Sequence, residues 1–193
     1  MKIIRLLLLP LLALPLVSCM IPEDFHLRID LAQHRQMHAV YQGITWYNPI
    51  GKNTVTAQDV EKIIEDARKQ PEIREIRHIG GNRFDIRAEY AWVAQGKEKK
   101  LLFSLVEVKP DAEGRLLFRA GPGNPNRIRE YREKGLHFAG EVLIHLAPGY
   151  RIVEQSGGQC AQENDGQRCV WRTEDVLEKG LRLSVEDAPQ DGD

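Results

Sequence analysis

The chain has 193 residues, with 27 Lys and Arg against 28 Asp and Glu, for a formal net charge of −1. No basic excess is available to neutralise a phosphate backbone, so the composition argues against nucleic-acid binding. The length suits one domain with a real hydrophobic core.

At the N-terminus Lys2 and Arg5 precede an apolar run from Leu6 to Val17. A charged start and a short apolar core are the marks of an export signal. A run of about 12 residues cannot span a bilayer as a stable helix, which takes roughly 20. Pro10 and Pro15 weaken a permanent span further. The run closes on Leu16-Val17-Ser18-Cys19, which resembles the lipobox of bacterial lipoproteins. The resemblance implies removal of residues 1–18, a diacylglyceryl group on the Cys19 thiol, and two or three acyl chains. Each buried methylene contributes about 0.8 kcal/mol, and one chain alone holds only marginally, so several chains give lasting attachment. The expected partner at this end is therefore the membrane, through the lipid on Cys19. In Gram-negative cells such proteins are retained at the inner membrane by an aspartate after the cysteine. Met20 stands there instead, which favours the outer membrane, facing the periplasm.

The leader holds two of the 27 basic residues and none of the acidic ones, so the mature chain carries 25 against 28, a net charge of −3. Residues 19–186 are expected to form one α+β domain, and 187–193 a disordered acidic tail.

Phe25, Leu27, Ile29 and Leu31 alternate with polar residues, the period of a half-buried strand. A turn at Ala32–Arg35 and a second strand from Gln36 to Tyr47 complete an opening hairpin. Asn48-Pro49-Ile50-Gly51 breaks it. A helix follows, capped by Thr56 with Asp59 three residues on, and with Val55 and Val60 placed as a hydrophobic staple. Its apolar stripe is Val60, Ile63, Ile64 and Ala67, and Pro71 ends it. The period of two returns at Ile73–Ile79. After the Gly80-Gly81-Asn82 turn, Phe84, Ile86, Ala88, Tyr90 and Trp92 make the cleanest strand in the chain. This aromatic stripe can line a groove or pack under the helix, and helix-on-sheet burial favours packing. Residues 95–100 read as a loop, Leu101–Val108 and Arg115–Ala120 as a hairpin, and Asn126–Lys134 as a short, solvated helix. Leu136–Leu146 and Tyr150–Gln155 flank the turn Ala147-Pro148-Gly149, and Cys169–Arg172 and Leu181–Val185 finish the pattern. The expected fold is α+β: a sheet-rich, antiparallel domain with one main helix packed on a sheet face and a short second helix.

Cys160 and Cys169 are an even pair in an exported chain, separated by a polar, turn-rich segment, and read as a disulfide. A zinc centre needs about four ligands, and no Cys-x-x-Cys is present.

Catalytic signatures are missing. The mature chain has three serines, Ser104, Ser156 and Ser184, none in a Gly-x-Ser-x-Gly context. Two paired cysteines offer no thiol nucleophile. Gly121-x-Gly123 lacks the remainder of either nucleotide-binding fingerprint. His137, Glu141 and His145 are spaced by four, but Gly140, Val142 and Ile144 argue for a strand. On a strand a four-residue step is about 13 Å, too far for a shared ion. His34 and His38 meet the same objection unless the turn separates them. No metal ligand, cofactor or catalytic residue is assigned, and the chain is read as non-enzymatic.

Three runs, Gly135-Leu136-His137-Phe138-Ala139-Gly140-Glu141-Val142, Ala147-Pro148-Gly149-Tyr150 and Val170-Trp171-Arg172, resemble the end of LppM-type bacterial lipoproteins. In that group a strand with a central glycine precedes a Pro-Gly turn, and a strand bearing tryptophan follows. The resemblance implies a membrane-tethered α+β domain that contacts lipids or glycolipids of the envelope, and supplies no catalytic residues. The function expected is an envelope lipoprotein acting as a binding module for a partner protein, a lipid or a glycolipid. An envelope enzyme with an unfamiliar site, or an assembly factor, is the alternative.

Overall fold

The computed structural model describes residues 20–49, 54–101 and 104–188. The leader, Cys19, part of the 48–51 break and residues 189–193 of the expected tail lie outside them.

The fold is α+β and dominated by strand, with three helices among the described residues. Alternation of apolar and polar side chains drives most of the strands. β1 (Met20–Ala32) buries Phe25, Leu27, Ile29 and Leu31 on one face. A 3-10 turn (Gln33–Arg35) leads to β2 (Gln36–Tyr47), which pairs antiparallel with β1 from Met20↔Tyr47 to Ala32↔Gln36. α1 (Ala57–Arg68) has the complete capping box. The Thr56 hydroxyl accepts from the Asp59 amide at 3.2 Å, and the Asp59 carboxylate accepts from the Thr56 amide at 2.9 Å. Two of the first-turn amides and the dipole are thereby satisfied. β3 (Ile73–Gly80) and β4 (Arg83–Val93) form the next hairpin. Phe84, Ile86, Ala88 and Tyr90 are buried on one face of β4, in the same cluster as Ile63 and Ala67 of α1. The aromatic stripe is core as far as Tyr90, with Trp92 half-buried against it.

Beyond Val93 the outcome departs from the expected hairpins. β5 (Lys99–Lys100) occupies what reads as loop, and the Leu101–Val108 strand shrinks to β6 (Glu107–Pro110). Residues 102–103 are outside the described set, and Ser104 has φ 58°, which interrupts an extended path. β7 (Leu116–Ala120), α2 (Pro125–Glu133) and β8 (Ala139–Leu146) follow, then β9 (Tyr150–Ser156), β10 (Gln159–Glu163), β11 (Gly166–Arg172), α3 (Thr173–Lys179) and β12 (Leu181–Asp187).

Two sheets result. One runs β10-β11-β8-β1-β2-β4-β3 and the other β5-β6-β7-β12-β9. A single cluster of buried side chains unites them, with Phe25, Tyr41, Phe84, Ile144 and Trp171 from the first and Val108, Phe118, Leu183 and Val185 from the second. β8 and β9 flank the 147–149 turn but lie in different sheets. The Ala147 amide donates to the Leu31 carbonyl at 2.9 Å, ending β8 beside β1, and the chain then crosses over through Pro148 and Gly149. The expected all-antiparallel plan also fails at one ladder. β1 pairs parallel with β8, from Asp24↔Ala139 to Leu31↔Leu146. The domain boundary moves too. Asp187 pairs with Tyr150, and the Ala188 amide donates to the Gly149 carbonyl at 2.8 Å, so these two residues belong to the body rather than to the tail.

The cysteines meet as expected. Cys160 and Cys169 stand directly opposite each other in the β10–β11 ladder and are disulfide-bonded, Cα to Cα 4.0 Å. The segment between them is a hairpin, paired from Gln159↔Val170 to Glu163↔Gly166. Closing ten residues contributes roughly 2.7 kcal/mol in the chain-entropy account. Reducing the bond is expected to lower the unfolding free energy by about that amount. Denaturant titrations with and without a thiol reductant would show it, and coincident curves would show the bridge to be inert.

Candidate functional site

The body has two ends, fixed by the direction of β1. Met20, Tyr47, Arg83 and Ala139 lie at one, brought together by the β1–β2, β2–β4 and β1–β8 registers. The turns Gln33–Arg35 and Ala147–Gly149 and the chain after Val93 lie at the other. Thirteen residues of β1 separate the ends, about 40 Å at the usual rise.

The far end carries an open cleft of about 820 Å³. Gln33, His34 and Arg35 form one wall, Gln95 follows β4, Pro148, Gly149 and Tyr150 form the facing wall, and Asp187 and Ala188 close the side. The volume is within the span of ligand pockets, about 300–1,000 Å³, but the mixed polar lining differs from their usual apolar one. His34 and Arg35 have φ of 57° and 58°. A left-handed conformation is costly for side chains other than glycine, and such residues gather where surrounding structure imposes them for a purpose. Here the tie is Tyr150. Its hydroxyl donates to the Ala32 carbonyl and accepts from the Arg35 amide, both at 3.0 Å. Burial pushes the Tyr150 hydroxyl pKa up, which keeps it neutral and able to donate. The Arg35 guanidinium then reaches Asp187 at 2.9 Å across the cleft rim. The strained turn is thus held from β9 and β12, elements of the other sheet.

The near end is built differently. Glu23 is the extra residue of a bulge, where the β1–β2 register shifts between Pro22 and Asp24. Its side chain keeps the buried phase of Phe25, Leu27, Ile29 and Leu31. Glu23 is 5% exposed and meets Arg83 through two bonds of 2.8 and 2.9 Å, while the His137 amide donates to it at 3.4 Å. Arg83 also donates to the Gly135 carbonyl at 3.2 Å, tying the end of α2 to the sheet. Trp46, Tyr131 and Phe138 cluster beside this pair, with ring centroids 6.2 and 6.5 Å apart in sequence, and Lys134 stands 5.9 Å over the Trp46 ring.

Of the residues singled out in the sequence, Cys19 lies outside the described set, and Cys160 and Cys169 are bonded to each other. Glu141 and His145 lie on β8, with His137 just before it, so the spacing of four does not converge. His34 lines the cleft, whereas His38 leaves it and pairs with Glu89 at 2.9 Å. Bonds from His38 and then Arg74 hold the Glu89 carboxyl below the usual carboxylate range. One grouping was out of reach of along-strand spacing. His145 meets Glu163 and Asp165 at the apex of the β10–β11 hairpin, with one ligand atom of each within 4.8 Å of the others. Asp30, opposite His145 in the β1–β8 ladder, lies 3.7 Å away on its other side. These are metal-ligating types, and among the described residues they are the one set close enough to share an ion. Both carboxylates are exposed.

The class that the fold and site define is a two-sheet α+β domain with a strained, tyrosine-tied cleft at one end and an aromatic and basic cluster at the other. Comparison with protein-family models gave no match, and comparison with curated proteins gave none.

Proposed function

We propose that this chain is an envelope lipoprotein, anchored through Cys19, that binds a partner protein in its distal cleft and performs no catalysis. The observation that carries the reading is the course of β1. It begins at Met20, the residue after the lipobox cysteine, and ends at Ala32, against the cleft turn. One strand thus spans the distance from the anchor to the cleft, and the cleft stands about 40 Å from the attachment point. A mixed polar and apolar lining and an open mouth suit a peptide segment better than an acyl chain, which would need an enclosed apolar cavity. The run Pro148-Gly149-Tyr150, part of the resemblance to LppM-type lipoproteins, falls on the cleft wall. Among the described residues three large apolar side chains are exposed, Ile79, Val93 and Val153, and of these Val93 adjoins the cleft two residues before Gln95. In a Gram-negative cell the expected address is the outer membrane, facing the periplasm.

Two measurements test this. Metabolic labelling with a fatty-acid probe should mark the wild-type chain, and Cys19→Ser should lose the label and leave the membrane fraction. A photoreactive residue in place of Gln95 should then capture a protein in intact cells that the same group in place of Ile79 does not. An unlabelled wild-type chain rejects the anchor. Identical captures from the two positions, or none, reject the cleft.

A further inference from the structure

We propose that the end of the body carrying Met20, Trp46 and Tyr131 lies directly against the membrane surface, with Trp46 in the headgroup layer and the α2 helix facing anionic headgroups. The inference rests on acylation of Cys19 and adds which protein surface meets the bilayer.

The first argument is covalent. Consecutive Cα atoms are about 3.8 Å apart, so a lipid on residue 19 is one peptide unit from Met20. Met20 is already in the ladder, paired with Tyr47, and Ile21 is paired with Trp46. No flexible spacer separates the acylated residue from the sheet. The headgroup layer on each side of the hydrocarbon is roughly 5–8 Å deep, so a body joined this closely cannot stand clear of it.

The second argument is chemical and independent of the first. Trp46 and Tyr131 are half-buried, their rings 6.2 Å apart, and Lys134 stands over the Trp46 ring. Aromatic rings with a polar edge, beside a long cationic side chain, are the groups that partition to the membrane interface. α2 has no buried residue at all, an unusual state for a helix in a compact body. With its C-cap it carries Arg127, Arg129, Arg132 and Lys134 against Glu130 and Glu133, an excess of two positive charges on a chain that is negative overall. Positive charge within a Debye length of anionic lipids is attracted to them. The opposite end has the cleft, and the cation-ring contact nearest it, Lys99 over Tyr90 at 5.4 Å, engages a buried ring rather than a half-exposed tryptophan.

The test uses the chain's three tryptophans. Trp171 is fully enclosed, and Trp92 lies opposite Met37, toward the far end of β2. The acylated full chain is reconstituted into vesicles of phosphatidylethanolamine and phosphatidylglycerol, with plain or brominated acyl chains. Brominated lipid is expected to reduce tryptophan emission in the wild type and in Trp92→Phe, and to leave Trp46→Phe unchanged. Acylated protein that floats with the vesicles yet shows equal emission in both lipids overturns the proposal while leaving the anchor intact. Quenching that survives in Trp46→Phe also overturns it. A chain that carries no lipid and does not float overturns the anchor itself, and the proposal with it.

Discussion

Replacing Gly140 by alanine is expected to destabilise the domain by about 4 kcal/mol or more, at the extreme of single-substitution effects. Gly140 has φ +97°, a region that side chains other than glycine rarely enter. It also sits opposite Phe25 in the parallel β1–β8 ladder. A Cβ built there would stand 1.7 Å from the Phe25 carbonyl oxygen and 2.7 Å from its carbon. Both contacts are backbone, so neither can yield without parting two strands at the centre of the larger sheet. Gly149 separates the two causes. Its φ is +99°, but nothing lies within 4 Å of its Cβ position. Gly149→Ala should therefore cost only the conformational strain, about 1–3 kcal/mol. Denaturant midpoints and far-ultraviolet dichroism of the two variants give the comparison. Equal effects would show that close approach of β8 to β1 contributes nothing.

Arg83→Ala should lower stability by about 2–3 kcal/mol. A buried pair broken on one side costs roughly 3–5 kcal/mol, and the lower figure allows for the solvent around the arginine. Glu23 has 7% of its side chain exposed and Arg83 41%, so the carboxylate is the group left without compensation. The loss should be largely recovered in the double variant Glu23→Met with Arg83→Ala, because an apolar side chain in that position has no charge to satisfy. Urea titrations of the two single variants and the double variant form the cycle. A double variant no more stable than Arg83→Ala alone would mean that the guanidinium acts through Gly135 and packing, not through Glu23.

What the sequence disclosed follows the range over which each signal acts. The β1–β2 hairpin, α1 with its cap, the β3–β4 hairpin and the Cys160–Cys169 staple are all set by neighbours within a few tens of residues. Their alternation, capping residues and turn glycines can be read in order. The parallel β1–β8 ladder joins residues more than a hundred positions apart, and no local period records it. The division into two sheets falls at the Ala147–Gly149 turn, where β8 ends beside β1 with the Ala147 to Leu31 bond and the chain crosses to the other sheet. α3 was missed for a physical reason as well. Its N-cap is Arg172, with no capping side chain, and it buries only Thr173 and Val176, too little for a stripe. The cleft was still less legible. Its walls come from four separated segments, and the left-handed turn at His34 and Arg35 has no glycine to announce it. The Tyr150 hydroxyl, which imposes that turn, is supplied from 115 residues away. Glu163 and Asp165 likewise reach His145 by the fold of a hairpin, where spacing along β8 had been the only guide.

The position of β1 has a mechanical consequence. It is flanked on both sides, by β2 and by β8, over most of its length. Traction applied through residue 19 would pull along the strand axis, while the ladder bonds run across it. Extracting the strand would therefore shear both ladders simultaneously instead of peeling one bond at a time. If the proposed lipid on Cys19 and the proposed cleft ligand pull in opposite directions, this arrangement would load both ladders in shear.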